Sequence, residues 1–411
     1  MMSATTTVSS NLIEELELGR AESDRFFQII KPEGIYERPI DARHRVIFYI
    51  GHLDGFDSIQ ICREGIGLKS LDPRLDSLFQ AGIDPDGAHL PADQPSDWPS
   101  LGQVQEYVAR CRAHVDRYLD SAPEELVYMA MEHRAMHLET LAYMFHNFPY
   151  ALKNVPPSQQ VTGKQGFEPV ENGWKSIPAG VATLGRPHDG TFGWDNEFDE
   201  TRFDVPSFEI QRFSVTNGEY LKYMNEGAPM PHFWVRRDDV IFQRGMFGEI
   251  PLPLSWPVYV TQAEAQAYAD AHGLALPTEQ QFHRAAYGTA NGRDREYPWG
   301  NDRPSVQRGN FDFQQWDPKP VSETPGGDSA FGASQLVGNG WEWTCTPFGP
   351  LPGFSPRPSY PGYSANFFDG QHFVLKGGSA RTAARLLRRS FRNWFRRDYP
   401  FVYAKFRCVS K

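Results

Sequence analysis

Near residue 155 the sequence changes character, and this break constrains the fold more than any other feature. Before it, apolar residues recur at helical spacing; after it, glycine, proline and aromatic residues interrupt short strand-like pieces. A chain of 411 residues is too long for one ordinary core, so the break reads as a domain boundary. In the first part, Leu12, Leu16, Phe26, Phe27 and Ile30 give one helix a buried side. A second helical run extends from about Asp41 to Cys62 and includes Val46, Ile47, Tyr49 and Ile50. After the loop Asp84-Pro85-Asp86-Gly87, a third runs from about Leu101 to Leu119. The fourth is expected to start from an N-cap at Ser121, with Pro123 and two glutamates in its first turn, and to reach Asn147. Four helices with modest connections suggest a four-helix bundle over residues 1–155.

Val155-Pro156-Pro157-Ser158 opens a linker expected over 156–175, and 176–411 reads as a loop-rich α+β domain. Two helices are expected there. Ala263, Ala267, Tyr268 and Ala271 mark one from Thr261 to a terminating Gly273, and a second covers Thr278 to Tyr287. A formal charge of −10 argues against a nucleic-acid partner, which needs a basic surface. No apolar run approaches the roughly 20 residues that span a bilayer. The first residues lack a basic segment followed by an apolar one, so no signal peptide and a cytoplasmic location are expected. Cys62, Cys111, Cys345 and Cys408 form no CxxC pair and are expected as free thiols.

The residues with the most definite chemistry are histidines. His133 and His137 stand four apart on the fourth helix, so both imidazoles project from one face and can share an ion. His52 lies on the second helix, and antiparallel packing can bring it opposite that pair. Three neutral nitrogens leave coordination positions open, as a catalytic metal requires. Glu139, two residues past His137, points off this face and is not counted as a ligand. Spacing alone does not choose between zinc and iron, because imidazole suits both.

These segments resemble the N-terminal domain of the sulfoxide synthases of ergothioneine biosynthesis, a DinB-like four-helix bundle with one histidine followed later by HxxxH. The second half matches independently, through Trp194-Asp195-Asn196-Glu197, Val215-Thr216-Asn217-Gly218-Glu219-Tyr220 and Leu276-Pro277-Thr278-Glu279. Gly338-Asn339-Gly340-Trp341-Glu342-Trp343-Thr344, Leu375-Lys376-Gly377-Gly378-Ser379 and Phe406-Arg407 complete the order. Together they resemble the formylglycine-generating-enzyme-type domain, a C-type-lectin-like fold. The resemblance implies Fe(II) held by His52, His133 and His137, with hercynine, a sulfur donor and O2 as reactants. It also implies that Tyr360 donates a proton or hydrogen and that Tyr363 lines the hercynine pocket. Asn393 and Trp394 match the pair that holds hercynine, through an amide on its carboxylate and an aromatic face on its quaternary ammonium. Trp341 and Trp343 read as core.

Several positions depart from the family pattern. Met136 stands where glutamine is common, before the last histidine. Phe395 and Tyr399 stand where relatives using γ-glutamylcysteine carry aspartate and arginine, which would hold an amino-acid-like thiol by its charges. Arg396, Arg397 and Asp398 lie beside them, and Phe79-Gln80-Ala81-Gly82-Ile83-Asp84 lacks the paired tyrosines of some relatives. Two aromatics suit a sugar better, so the departures point to the selenoneine synthase branch, which joins a selenosugar to hercynine. The alternative is sulfoxide synthesis with a thiol such as γ-glutamylcysteine or cysteine. A zinc-dependent thiol transferase on a similar bundle and a lectin-like binding protein are the more distant alternatives.

Overall fold

The computed structural model describes residues 8–80, 91–156 and 167–411, which divide into two units with the boundary between Gln160 and Val161. The expected loop Asp84–Gly87 and the Pro157-Ser158 pair lie outside the described residues.

The first unit is helical. Helix α1 (Ser10–Phe27) opens at Ser9, whose Oγ accepts the Leu12 N–H, and buries Leu12, Leu16 and Phe26. Helix α2 (Val46–Asp57) is followed by α3 (Pro73–Gln80), α4 (Leu101–Tyr118) and α5 (Glu124–His146). A reciprocal cap between Ser100 and Gln103 starts α4. Eleven of the twelve residues of α2 are buried, so this helix is covered on every side, by α3, α4 and α5. Its two aspartates are therefore paired. Arg134 of α5 reaches Asp54 at 2.8 Å and Asp57 at 2.6 Å, and donates to Ser23 of α1 at 2.8 Å. Arg112 of α4 joins Asp54 to Asp24 of α1, so one ionic network ties four helices together. Burial pushes the Asp57 carboxyl up. Burial also opposes Asp54, but Arg134 and Arg112 outweigh it and hold that carboxyl down.

Three local expectations need correction. The second run starts as helix only at Val46, and beyond Asp57 it continues as a π-helical segment, Ser58–Gly65, rather than as α to Cys62. Ser121 is not the cap of α5. It ends a short turn, Leu119–Ser121, because Ala122, the residue before proline, is driven out of the helical region into an extended conformation, and Pro123 takes the cap position. The short α3 was not anticipated.

In the second unit β1 (Trp174–Ile177) begins inside the segment expected as linker, and it pairs antiparallel with β4 (Phe208–Gln211). Strands β2 (Gly180–Leu184) and β3 (Thr201–Val205) form a second antiparallel pair. A three-stranded sheet follows from β5 (Trp234–Arg237), β6 (Val240–Arg244) and β7 (Glu249–Pro251). The largest sheet has the order β10 (Asn393–Arg396), β9 (His372–Lys376), β8 (Trp341–Pro347) and β11 (Ala404–Lys405), with the last pair parallel. Helices α6 (Asn217–Asn225), α7 (Gln262–Ala271) and α8 (Glu279–Tyr287) each open with a threonine capping box. The two expected helices are α7 and α8, while α6 was missed.

The motifs of this unit are its internal joints. Glu342 of β8 is fully buried and takes hydrogen bonds from Lys405 and Arg407, which hold its carboxyl down although burial opposes them. Trp341 and Trp343 are buried as expected, the latter donating from Nε1 to the Val260 carbonyl at 2.8 Å. Asn339 takes a left-handed φ of 60° between two glycines, and its amide bonds Lys319, Asn310 and Gln335. Among the described residues no helix is long and apolar enough to cross a membrane.

Candidate metal centre and aromatic cluster

In the first unit α2 brings His52 to the same point as His133 and His137 of α5, and all three are buried. The His137 Nε2 lies 3.2 Å from the His52 Nε2 and 3.0 Å from the His133 Nε2. Two ligands at right angles on one ion, with bonds of about 2.1 Å, stand about 3.0 Å apart, so the spacing fits a shared metal. Among the described residues these are the only three metal-binding side chains that converge in this way. Glu139 does not join them.

The protonation states also fit. Burial lowers the His52 pKa to about 4, and burial together with neighbouring charges lowers His133 and His137 well below the ordinary imidazole value. All three rings are thus neutral near pH 7, with lone pairs to offer. The tautomer of His52 is fixed from outside: its Nδ1 lies 2.6 Å from the Phe79 carbonyl oxygen, in the last turn of α3, and donates there. That leaves Nε2 unprotonated and facing the other two rings, a metal-ligand orientation. The His133 and His137 Nδ1 atoms are buried without a hydrogen-bond partner. Aromatic rings wall the centre. Phe56 stacks on His133 at 3.5 Å and Phe48 on His52 at 4.7 Å. Phe48, His52 and Phe56 recur every four residues along α2, a pattern that could have marked this wall in the sequence. Gly51 lets Phe79 come close, since a Cβ there would meet its ring at 2.5 Å. Met136 is half-buried on α5 beside His137.

The second unit gathers a separate aromatic cluster. Tyr363 stacks on Trp194 at 4.0 Å, meets Trp394 edge-on at 5.4 Å, and lies 5.8 Å from Tyr360. Trp394 is stacked on Phe348 at 4.3 Å with the rings nearly parallel. Behind Phe348 stands the Arg392 guanidinium, itself paired with buried Glu279 at 2.9 and 3.0 Å. The expected residues Tyr360, Tyr363 and Trp394 thus come together. Asn393 is less involved: strand alternation turns it to the other face of β10, and its Oδ1 accepts the Trp394 N–H at 2.9 Å. Phe395 and Tyr399 form their own stack at 5.1 Å, while Arg396, Arg397 and Asp398 between them are exposed. Trp194, Phe348, Glu279 and Arg392 were not singled out for this cluster, although two of them lie in quoted motifs.

Residues 163–411 match the family described as the Sulfatase-modifying factor enzyme 1-like domain. The hercynine oxygenase of Mycolicibacterium smegmatis is 31% identical over 423 residues, covering 95% of each chain. That of Mycolicibacterium thermoresistibile is 32% identical, covering 86% of this chain and 84% of its own. Ergothioneine biosynthesis protein 1 of Neurospora crassa is 28% identical over 93% of this chain and 55% of its own, so the chain spans about half the length of that relative. Among solved structures, PvdO from Pseudomonas aeruginosa superposes with a TM-score of 0.43 at 19% identity, over 57% of this chain and 93% of that one.

Proposed function

The chain belongs to the hercynine oxygenase family and carries its sulfatase-modifying-factor-type domain, and from that premise we propose that it joins hercynine oxidatively to a chalcogen donor. The observation that carries the proposal is the convergence of three neutral imidazoles, at 3.0 and 3.2 Å, in a chain of this family. His52, His133 and His137 would hold ferrous iron, which supplies Lewis acidity and the electron transfers that dioxygen reduction needs. With a thiol donor the reaction balances as follows. The imidazole C2–H and the S–H bonds break, a C–S bond forms, one oxygen atom goes to the sulfoxide, and the other leaves as water.

The chain's own residues divide the remaining work. The Phe79 carbonyl keeps the His52 proton on Nδ1, and Phe48 and Phe56 exclude water from two of the imidazoles. Tyr360 is the proposed proton donor, through Oη. Tyr363 and Trp394 offer π faces to the quaternary ammonium of hercynine, and Arg392 with Phe348 backs the Trp394 ring.

For the donor, the names of the relatives favour a thiol, as in ergothioneine synthesis. A second reading, a selenosugar, is favoured by the Phe395–Tyr399 stack, two aromatic rings that carry no formal charge where aspartate and arginine would hold an amino-acid thiol. Aerobic incubation of the chain with Fe(II) and hercynine tests both readings. γ-Glutamylcysteine, cysteine and selenoglucose are offered in competition, with mass spectrometry of the products. A sulfoxide adduct supports the first reading and a selenium adduct the second. Recovery of hercynine unchanged with every donor rejects the proposal.

A further inference from the structure

We infer that Asp195 is a positioning residue that, with the Trp194 ring, clamps the turn bearing Tyr360 and Tyr363. Its functional part rests on the reading of those tyrosines given above. The segment 357–364 contains no helix or strand, and Tyr360 and Tyr363 are only half-buried within it. Its internal bonds are short-range turns, from the Tyr360 N–H to the Arg357 carbonyl and from the Tyr363 N–H to the Tyr360 carbonyl. Such a segment holds one conformation only if something outside it fixes both ends.

The outside support comes from four consecutive residues, 192–195. At the far end, Ser364 is fully buried and its Oγ donates to Asp195 Oδ1 at 2.5 Å, a hydroxyl–carboxylate bond of the strong, charge-assisted kind. At the near end, the Arg357 guanidinium donates to the Gly193 carbonyl and lies over the Phe192 ring at 5.1 Å. The backbone N–H of Arg357 also acts on the Asp195 carboxylate. Between the ends, Tyr363 lies flat on Trp194. The clamp is itself anchored. Glu197, in the same turn, accepts the Trp194 N–H and binds Arg388 and Ser390, so the Trp194–Glu197 motif cannot move independently of the turn at 388–390 ahead of β10. The motif thereby gains a purpose beyond the fold: it sets the two tyrosyl rings.

Hydrogen exchange and steady-state kinetics together test this on the full chain loaded with Fe(II). Asp195→Ala and Ser364→Ala are each expected to speed amide exchange in residues 357–364 by about tenfold or more, with the rest of the second unit unchanged. Both variants should keep their iron content, while hercynine KM rises and kcat falls. Asp195→Asn, which keeps an acceptor, should recover part of the loss. In an Asp195→Ala background, Ser364→Ala should add little, because the two share one bond. Exchange in 357–364 equal to that of the unmodified chain, or acceleration spread over the whole second unit, would overturn the clamp. So would local loosening with hercynine KM and kcat both unchanged. If the unmodified chain neither binds nor converts hercynine, the proposed function fails, and the exchange comparison still decides whether the clamp exists.

Discussion

Single side chains carry the proposed chemistry, and two of them can be replaced with distinct expected outcomes. Removing one imidazole from a three-nitrogen centre leaves two ligands and a buried void, so His137→Ala should lose stoichiometric iron and all turnover. Metal analysis of the purified variant reads this directly, and full iron content with normal activity contradicts it. Tyr360→Phe keeps the ring and its contact with Tyr363 but removes the only proton it can give. Hercynine should still bind, with kcat lower by roughly 10²–10⁴-fold or the product diverted, as stopped-assay mass spectrometry would record. His133 and His137 were legible in the sequence because four residues make one helical turn. Asn393 was placed beside Trp394 by motif alone, and alternation along β10 separates their side chains, which a motif match does not register.

Elements are set by caps and by buried charge. The N-termini of α4, α6, α7 and α8 are all reciprocal caps, and Thr216 with Glu219 would have announced α6 had the spacing been applied there. The start of α2 was not legible, because its sequence is apolar on nearly every face and periodicity has nothing to contrast. Its pairing with α5 depends on a residue that no pattern flagged. Arg134 satisfies Asp54 and Asp57 together, so Arg134→Met would leave buried Asp57 without its hydrogen-bonded cation and Asp54 dependent on Arg112. The expected loss of stability is about 3–5 kcal/mol, read from urea denaturation of the metal-free chain. Adding Asp57→Asn should recover part of that loss. A change below about 1 kcal/mol would mean the network contributes little to holding the helices.

Across the whole molecule, the break near residue 155 separates a helical unit from a mixed α+β unit, and the motif order of the second half foretold its sulfatase-modifying-factor-type domain. Acid response is a property of this whole assembly. His232, which burial lowers to about 4 near Arg244, and His283, which burial and the nearby Lys376, Arg389 and Arg392 hold well below the ordinary imidazole value, stay neutral in the folded chain. The unfolded chain takes up these protons below its ordinary histidine pKa of about 6.5. Stability should therefore fall as pH drops from about 6.5 toward 4, and a denaturation midpoint that is flat across this range contradicts the assignment.

In the proposed function one ferrous ion at His52, His133 and His137 drives a hercynine-dependent oxidation. Dioxygen consumption by the chain carrying one equivalent of Fe(II) tests it most directly. Uptake is expected only when hercynine and a thiol or selenol are both present, and it should vanish when zinc replaces iron. Equal turnover with zinc under strict anoxia, or no uptake with any donor, contradicts it.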